Sequence, residues 1–287
     1  MKATEEYLRQ GAGVIAAVAE QKEVIARVAD CFADAILKGR MVHLFGSGHS
    51  RIMVEEMWPR YGSFPGWNPI VELSLTFHNM TTGANGQRQA MYLENVSGFA
   101  ARILRNFDIT PEDAALIISS SGTNIVPVEM AEELQRKGVT VVAMVSSAHS
   151  AASEAKREDG RKLSDFAEHI IDTGAPVGDA AIEVEGLAEK VAPLSTVGGV
   201  ILINCIKAEV AERLAQAGAP PPGGWNDDDG DDMEPQGDLA TGISIGSAFT
   251  VRRANSLHAV DGEVRDDAVR LCDLASDDGG GVRCDAK

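Results

Sequence analysis

Hydrophobic positions change their spacing three times along the chain, and each change marks a different kind of element. From Thr4 to Leu37 apolar residues recur at three- and four-residue steps (Val14, Val18, Ile25, Val28, Phe32, Ile36), and Gly39 follows as a stop. That spacing predicts one or two amphipathic helices. Short β-rich runs come next: "MVHLF" (Met41 to Phe45), "PIVELSL" (Pro69 to Leu75), "AALIIS" (Ala114 to Ser119), "VTVVAMV" (Val139 to Val145) and "HIID" (His169 to Asp172). Segments able to form helices lie between most of them, and helix alternating with apolar strand is the pattern of a parallel sheet covered on both faces. "AIEVEGL" (Ala181 to Leu187) reads either as an edge strand or as an irregular loop. A last helical pattern, Val197, Ile201, Cys205, Ala208, Ala211 and Leu214, predicts a closing helix that ends at Gly218.

After Gly218 the character changes abruptly. "APPPGGWNDDDGDDMEPQGD" is rich in Pro, Gly and Asp, and little periodicity follows it. Residues 1–218 therefore read as the globular part and 219–287 as a largely disordered acidic tail.

Composition narrows the partners. At 287 residues and 44% hydrophobic content, the chain can fill a real core. Acidic residues outnumber basic ones 43 to 26, for a formal charge of -17, which repels a nucleic-acid backbone or an anionic membrane surface. Neither is expected as a partner, but a small anion can still be held by local donors against the overall field. The four cysteines, Cys31, Cys205, Cys272 and Cys284, form no Cys-x-x-Cys pair, and the first two fall in stretches that read as buried helix, as suits free thiols in a reducing cytoplasm. The N-terminus has acidic residues and no apolar run, so it does not read as a signal peptide. The stretch Val191 to Ile206 is broken by Pro193, Ser195, Thr196 and Asn204 and is shorter than the roughly 20 residues of a membrane span. A soluble cytoplasmic protein is the expectation.

Candidate chemistry gathers in two loops. "HLFGSGHS" (His43 to Ser50) follows the first strand and "IISSSGTN" (Ile117 to Asn124) the third. In open parallel sheets, ligands collect at the carboxyl ends of strands, where loops feed helix N-termini. Glycine lets the backbone come close, and hydroxyls with free N–H groups suit a phosphate without any Lys or Arg. The first loop offers Ser47, His49 and Ser50; the second offers Ser119, Ser120, Ser121, Thr123 and Asn124, just before a helix starting near Ile125. Ser and Thr are also ordinary turn and N-cap residues, so one such loop alone is ambiguous; two in one sheet shift the balance toward a ligand site. Gly46 and Gly48 make a G-x-G, but Arg51 stands where a dinucleotide fingerprint needs its third glycine. P-loop, G-x-S-x-G and H-E-x-x-H patterns are absent from the sequence. The six histidines are scattered, so neither a metal nor a cofactor is expected.

For proton transfer, Glu55 and Glu56 in "SRIMVEEMWPRYG" fall about one and a half turns into the helix after the first loop. A carboxylate among Met57 and Trp58 can carry the raised pKa that suits proton abstraction, whereas a solvent-facing one does not. Glu94 in "YLENVSGF" is a second acid, and His49 and His78 can polarise a carbonyl or shuttle a proton.

"GSGHS" followed by "EEMWPRYG", then "SSSGTNIVPVEMAEELQRKGVTVVAMVSS", then "PLSTVGGVILINCIKAEVAERL", resembles the sugar isomerase (SIS) domain family. The likeness covers roughly residues 4 to 218 and is greatest to a branch related to phosphoheptose isomerase and N-acetylmuramic acid 6-phosphate etherase. It implies an α/β fold, a three-layer α-β-α sandwich with a five-stranded parallel sheet, N-terminal helices and a C-terminal helix. It also implies phosphosugar binding at the strand ends, usually in a homodimer or homotetramer with sites near subunit interfaces. By position, Ser50 matches the family's first-loop serine, Ser119 and Ser121 match its phosphate-gripping serines, and Glu56 matches the isomerase's catalytic glutamate. Asn124 stands where a hydroxyl is usual, beside Thr123, and Gly198 or Gly199 falls where phosphoheptose isomerase carries a catalytic histidine. The resemblance thus implies an aldose–ketose sugar-phosphate isomerase. A phosphosugar sensor without catalysis, or an etherase using Glu56 and Glu94 as paired carboxylates, are the alternatives.

Overall fold

The computed structural model describes residues 2–76 and 86–221; His78 and nearly all of the expected tail lie outside these residues. The N-terminal pattern resolves into two helices, α1 (Lys2–Ala19) and α2 (Lys22–Leu37). Five strands form the main sheet: β1 (Val42–Gly46), β2 (Trp67–Pro69), β3 (Ala114–Ile118), β4 (Thr140–Val145) and β5 (His169–Asp172). Their order is β2-β1-β3-β4-β5 and every pairing is parallel.

The remaining helices are α3 (Arg51–Met57), α4 (Gly86–Leu93), α5 (Phe99–Leu104), α6 (Ile125–Arg136), α7 (Ser147–Ala152) and α8 (Ser195–Gln216). Residues of β1, β3 and β4 alternate between two cores, which is why these central strands are largely apolar rather than alternating with polar residues. Val42, Leu44, Leu116, Ile118, Val142 and Met144 face α2, α3 and α8. Phe45, Ala115, Ile117, Val141, Ala143 and Val145 face α5 and α6. The expected three-layer α-β-α sandwich is present, with helices at both ends of the described chain.

Three expectations need correction. The second strand is not Pro69 to Leu75 but Trp67–Pro69, and Leu73–Leu75 form a 3-10 turn. Pro69 has no N–H to extend the ladder, Ile70 N–H makes the next bond to the Leu44 carbonyl (2.8 Å), and the Glu72 carboxylate then accepts from Ser74 N–H (3.0 Å) and O–H (2.7 Å), which turns the chain. The edge-strand reading of "AIEVEGL" holds only at its start: β6 (Ala180–Ile182) pairs with β7 (Val191–Pro193) in a separate antiparallel hairpin. Cys205 also differs, lying exposed on α8 rather than buried.

At β5, which ends the sheet, Gln21 occupies the place of a further strand. Its amide donates to the Asp172 carbonyl (2.7 Å) and accepts from the Asp172 N–H (2.8 Å), which blunts that edge. At the amino end of the sheet, Asp113 is buried just before β3. Arg40 grips it with two bonds of 2.9 Å, and Thr110 N–H (2.7 Å) and Met41 N–H (3.1 Å) donate to it; His43 Nε2 lies 3.4 Å away. Burial pushes its pKa up, but His43, Arg40 and the two backbone donors outweigh burial and hold it well below the usual carboxylate range.

Asp113→Asn should therefore destabilise the fold at neutral pH by about 3 kcal/mol, because it leaves Arg40 buried beside a neutral amide. A depressed folded pKa contributes stability that is complete above about pH 4 and is lost as pH falls through the folded value, so urea unfolding should show the gap between variant and wild type narrowing below about pH 4.

Candidate functional site

The strand order sends the chain from β1 outward to β2, and from β3 the other way to β4. The carboxyl ends of β1 and β3 are therefore a topological switch point, where an open sheet leaves a crevice between diverging loops. Gly46 pairs with Ile118, so Ser47 and Ser119 begin their loops at the same level.

In the first loop a Cβ on Gly46 would sit 2.7 Å from the Ser50 carbonyl oxygen, and Gly48 has φ +55°. The two glycines thus serve a tight turn, closed by Ser50 N–H to the Ser47 carbonyl at 3.1 Å. Ser50 is buried and His49 exposed. The buried Ser47 hydroxyl donates to Glu94 Oε2 at 2.8 Å, so its proton serves the carboxylate. Arg51 pairs with Glu55 at 2.5 Å, while its Nε and Nη1 are buried without a hydrogen-bond partner among the described residues.

In the second loop the hydroxyl oxygens act as acceptors. Ser119 Oγ accepts from Gly122 N–H (3.2 Å), and Ser121 Oγ accepts from Thr123 N–H (3.4 Å) and Thr123 O–H (3.0 Å). An oxygen used this way leaves the hydroxyl proton free to point elsewhere. Gly122 supplies the left-handed φ of +63° that the turn needs. Asn124 holds the N-cap position of α6 but makes no side-chain cap bond; its Oδ1 accepts from the ammonium of Lys156. In the first turn of α6, Val126 N–H goes to the Glu94 carbonyl (2.9 Å) and Pro127 has no N–H.

Glu94 immediately follows α4, buried between the two loops. Burial raises its pKa, and the Ser47 hydroxyl and the charge of Lys156 only partly offset that. Glu56 is placed differently. About one and a half turns along α3, it faces α8, where Asn204 donates to its Oε1 (2.7 Å), Arg60 pairs with its Oε2 and Lys207 Nζ donates to its backbone carbonyl (2.8 Å). Burial raises its pKa, but Asn204 and Arg60 outweigh this and lower it, the opposite of the expected direction.

Ser47, His49, Ser50, Ser119, Ser121, Thr123 and Asn124 thus lie in the two loops that follow the adjacent strands β1 and β3, and Glu56 lies on the α3–α8 face. Gly198 and Gly199 lie near the start of α8: a Cβ on Gly198 would meet the Thr173 carbonyl oxygen at 1.9 Å, which bars a side chain there, and one on Gly199 would meet Met53 Sδ at 2.9 Å. Lys156 was not legible in the sequence, because "SEAKREDG" has the look of any charged surface loop. Among the described residues, no group of three or more His, Cys, Asp or Glu is arranged to hold a metal, and no helix is long and apolar enough to cross a membrane.

A family model described as SIS domain matches residues 6–146. A UPF0309 protein of Halalkalibacterium halodurans is 33% identical over 202 residues, 70% of this chain and 81% of that protein. A UPF0309 protein of Brucella anthropi is 33% identical over 199 residues, 69% of this chain and 78% of that one. Among solved structures, a phosphoheptose isomerase from Francisella tularensis aligns with a TM-score of 0.45 at 14% identity, covering 74% of this chain and 100% of that chain.

Gly198→Ala should cost at least about 2 kcal/mol in urea unfolding, since the added carbon meets a backbone carbonyl that cannot rotate away. A variant as stable as wild type would show that α8 can lift off the sheet.

Proposed function

Because the chain belongs to the SIS-domain family together with the UPF0309 proteins, a phosphosugar-binding family, we propose that its strand-end crevice binds a phosphorylated sugar and interconverts its aldose and ketose forms. The observation that carries this reading is the pairing of the Ser119–Asn124 loop with a buried acid of raised pKa, Glu94, at the switch point. Ser50, Ser119, Ser121 and Thr123 hold the phosphate, and Asn124 borders it. Ser47 orients Glu94.

Glu94 takes the proton from the carbon next to the carbonyl, giving an enediol, and returns it to the neighbouring carbon. A carboxylate that burial makes more basic does this better than an ordinary surface glutamate. His49, exposed in the first loop, passes the remaining proton between the two oxygens. Glu56, held ionised by Asn204 and Arg60, joins this chemistry only where a second subunit of a homodimer or homotetramer brings an α3–α8 face against the crevice. The etherase reading, with Glu56 and Glu94 as a carboxylate pair, has the same requirement, because the two lie on different faces of one chain. A cytoplasmic location suits the free thiols Cys31 and Cys205.

A sensor without catalysis is the second reading, favoured by the bare backbone at Gly198 and Gly199. Exchange of the C2 proton of hexose and heptose phosphates in heavy water separates the two. Wild type should exchange and Glu94→Gln should not, with the acid limb of the wild-type rate above that of an ordinary glutamate. Binding without exchange across the panel leaves only the sensor. Ser121→Ala should weaken binding about tenfold, the value of one hydrogen bond to a charged group, about 1.5 kcal/mol; unchanged calorimetric affinity would refute the cradle.

A further inference from the structure

The strand-end crevice lies in a chain of charge -17 and contains a buried carboxylate, Glu94, so a phosphate dianion approaching it meets an unfavourable field. Hydroxyl donors do not neutralise that charge. One nearby ammonium can, and its seat is built by two separate parts of the fold.

Lys156 lies four residues beyond the end of α7, in a loop fastened on either side of it. Lys162 Nζ donates to the carbonyls of Ser150 (2.6 Å) and Ser153 (2.7 Å), tying the loop back to α7. Arg157, next to Lys156, is largely buried: it pairs with Glu132 of α6 and with Asp159, each at 2.7 Å, and lies 5.4 Å over the Phe166 ring. The loop is therefore docked on α6 at the neighbouring residue. Lys156 itself is exposed and reaches the N-terminus of that helix, where its ammonium donates to Asn124 Oδ1. Its charge is felt at Glu94.

We propose that Lys156 is the cationic arm of the phosphosugar site: its ammonium, parked on the neutral amide of Asn124, moves to a phosphate oxygen when the Ser119–Ser121 loop is occupied. This rests on the phosphosugar reading above. It accounts for Asn124. An amide oxygen orients a lysine without neutralising it, whereas a carboxylate there would compete with the phosphate for the same ammonium. A charge-assisted bond to phosphate is stronger than the bond to the amide it replaces, so the exchange favours the occupied site. Lysine suits a movable contact, being a point charge on a flexible stem.

The test is titration of the full chain with inorganic phosphate by calorimetry at low and high salt, using wild type, Lys156→Met, Lys156→Arg and Ser121→Ala. Lys156→Met should bind about tenfold more weakly and lose most of the salt dependence. Lys156→Arg should retain most of the affinity. Both lysine variants should melt with the wild type, since the exposed side chain carries no packing. Wild-type affinity in Lys156→Met, with Ser121→Ala weakened, overturns the role of the lysine and leaves the serine cradle standing. Wild-type affinity in Ser121→Ala overturns the underlying reading, whatever the lysine variants do. Failure of the wild type to bind phosphate overturns both.

Discussion

A single carbon added to Gly198 would lie 1.9 Å from the Thr173 carbonyl oxygen, so α8 rests on the end of β5 through bare backbone. Much else follows from that contact. It seats α8 close enough for Leu202, Ile203, Ile206, Val210 and Leu214 to join α2 and α3 in one buried core over β1, β3 and β4. It also sets which residues of α8 meet α3: Met53 packs against Gly199, and a turn further along Asn204 and Lys207 take hold of Glu56. The geometry that makes the fold tight thereby removes the room for a histidine at position 198 and commits the glutamate on α3 to a network with α8.

The two carboxylates show how environment assigns roles to identical side chains. Glu56 gains a neutral donor and a cation, which stabilise its charged form. Glu94 is more deeply buried and gains one hydroxyl and a more distant ammonium, so desolvation wins. The difference lies in the depth of burial and in the donors each carboxylate meets. Asp113 is a third case, buried as deeply as Glu94 but surrounded by donors, and its charge secures the amino end of the sheet rather than any chemistry.

Spacing was a sufficient guide wherever a segment is buried on both sides. β1, β3 and β4 fall where continuous apolar runs predict them, because a strand between two helical layers needs no polar alternation. β2 was misplaced because "PIVELSL" has the right side chains but begins with a residue that cannot extend the ladder and contains a Glu–Ser pair that turns the chain. The serine loops were legible as hydroxyls at strand ends. Whether those hydroxyls cap α6 was not, since that depends on where each oxygen's hydrogen bond goes.

The amino-acid sequence by itself determined the layer order, the family, and the two loops that meet at the switch point, because each follows from local spacing and local residue type. The tertiary structure alone decided that Glu94 rather than Glu56 is the buried acid beside the serines, that α8 admits no side chain at Gly198, and that Lys156 reaches Asn124 across 32 residues. The physical reason is common to all three. A pKa, a steric exclusion and an ion's position depend on what the rest of the chain brings within a few ångströms, and no period in the sequence encodes that distance.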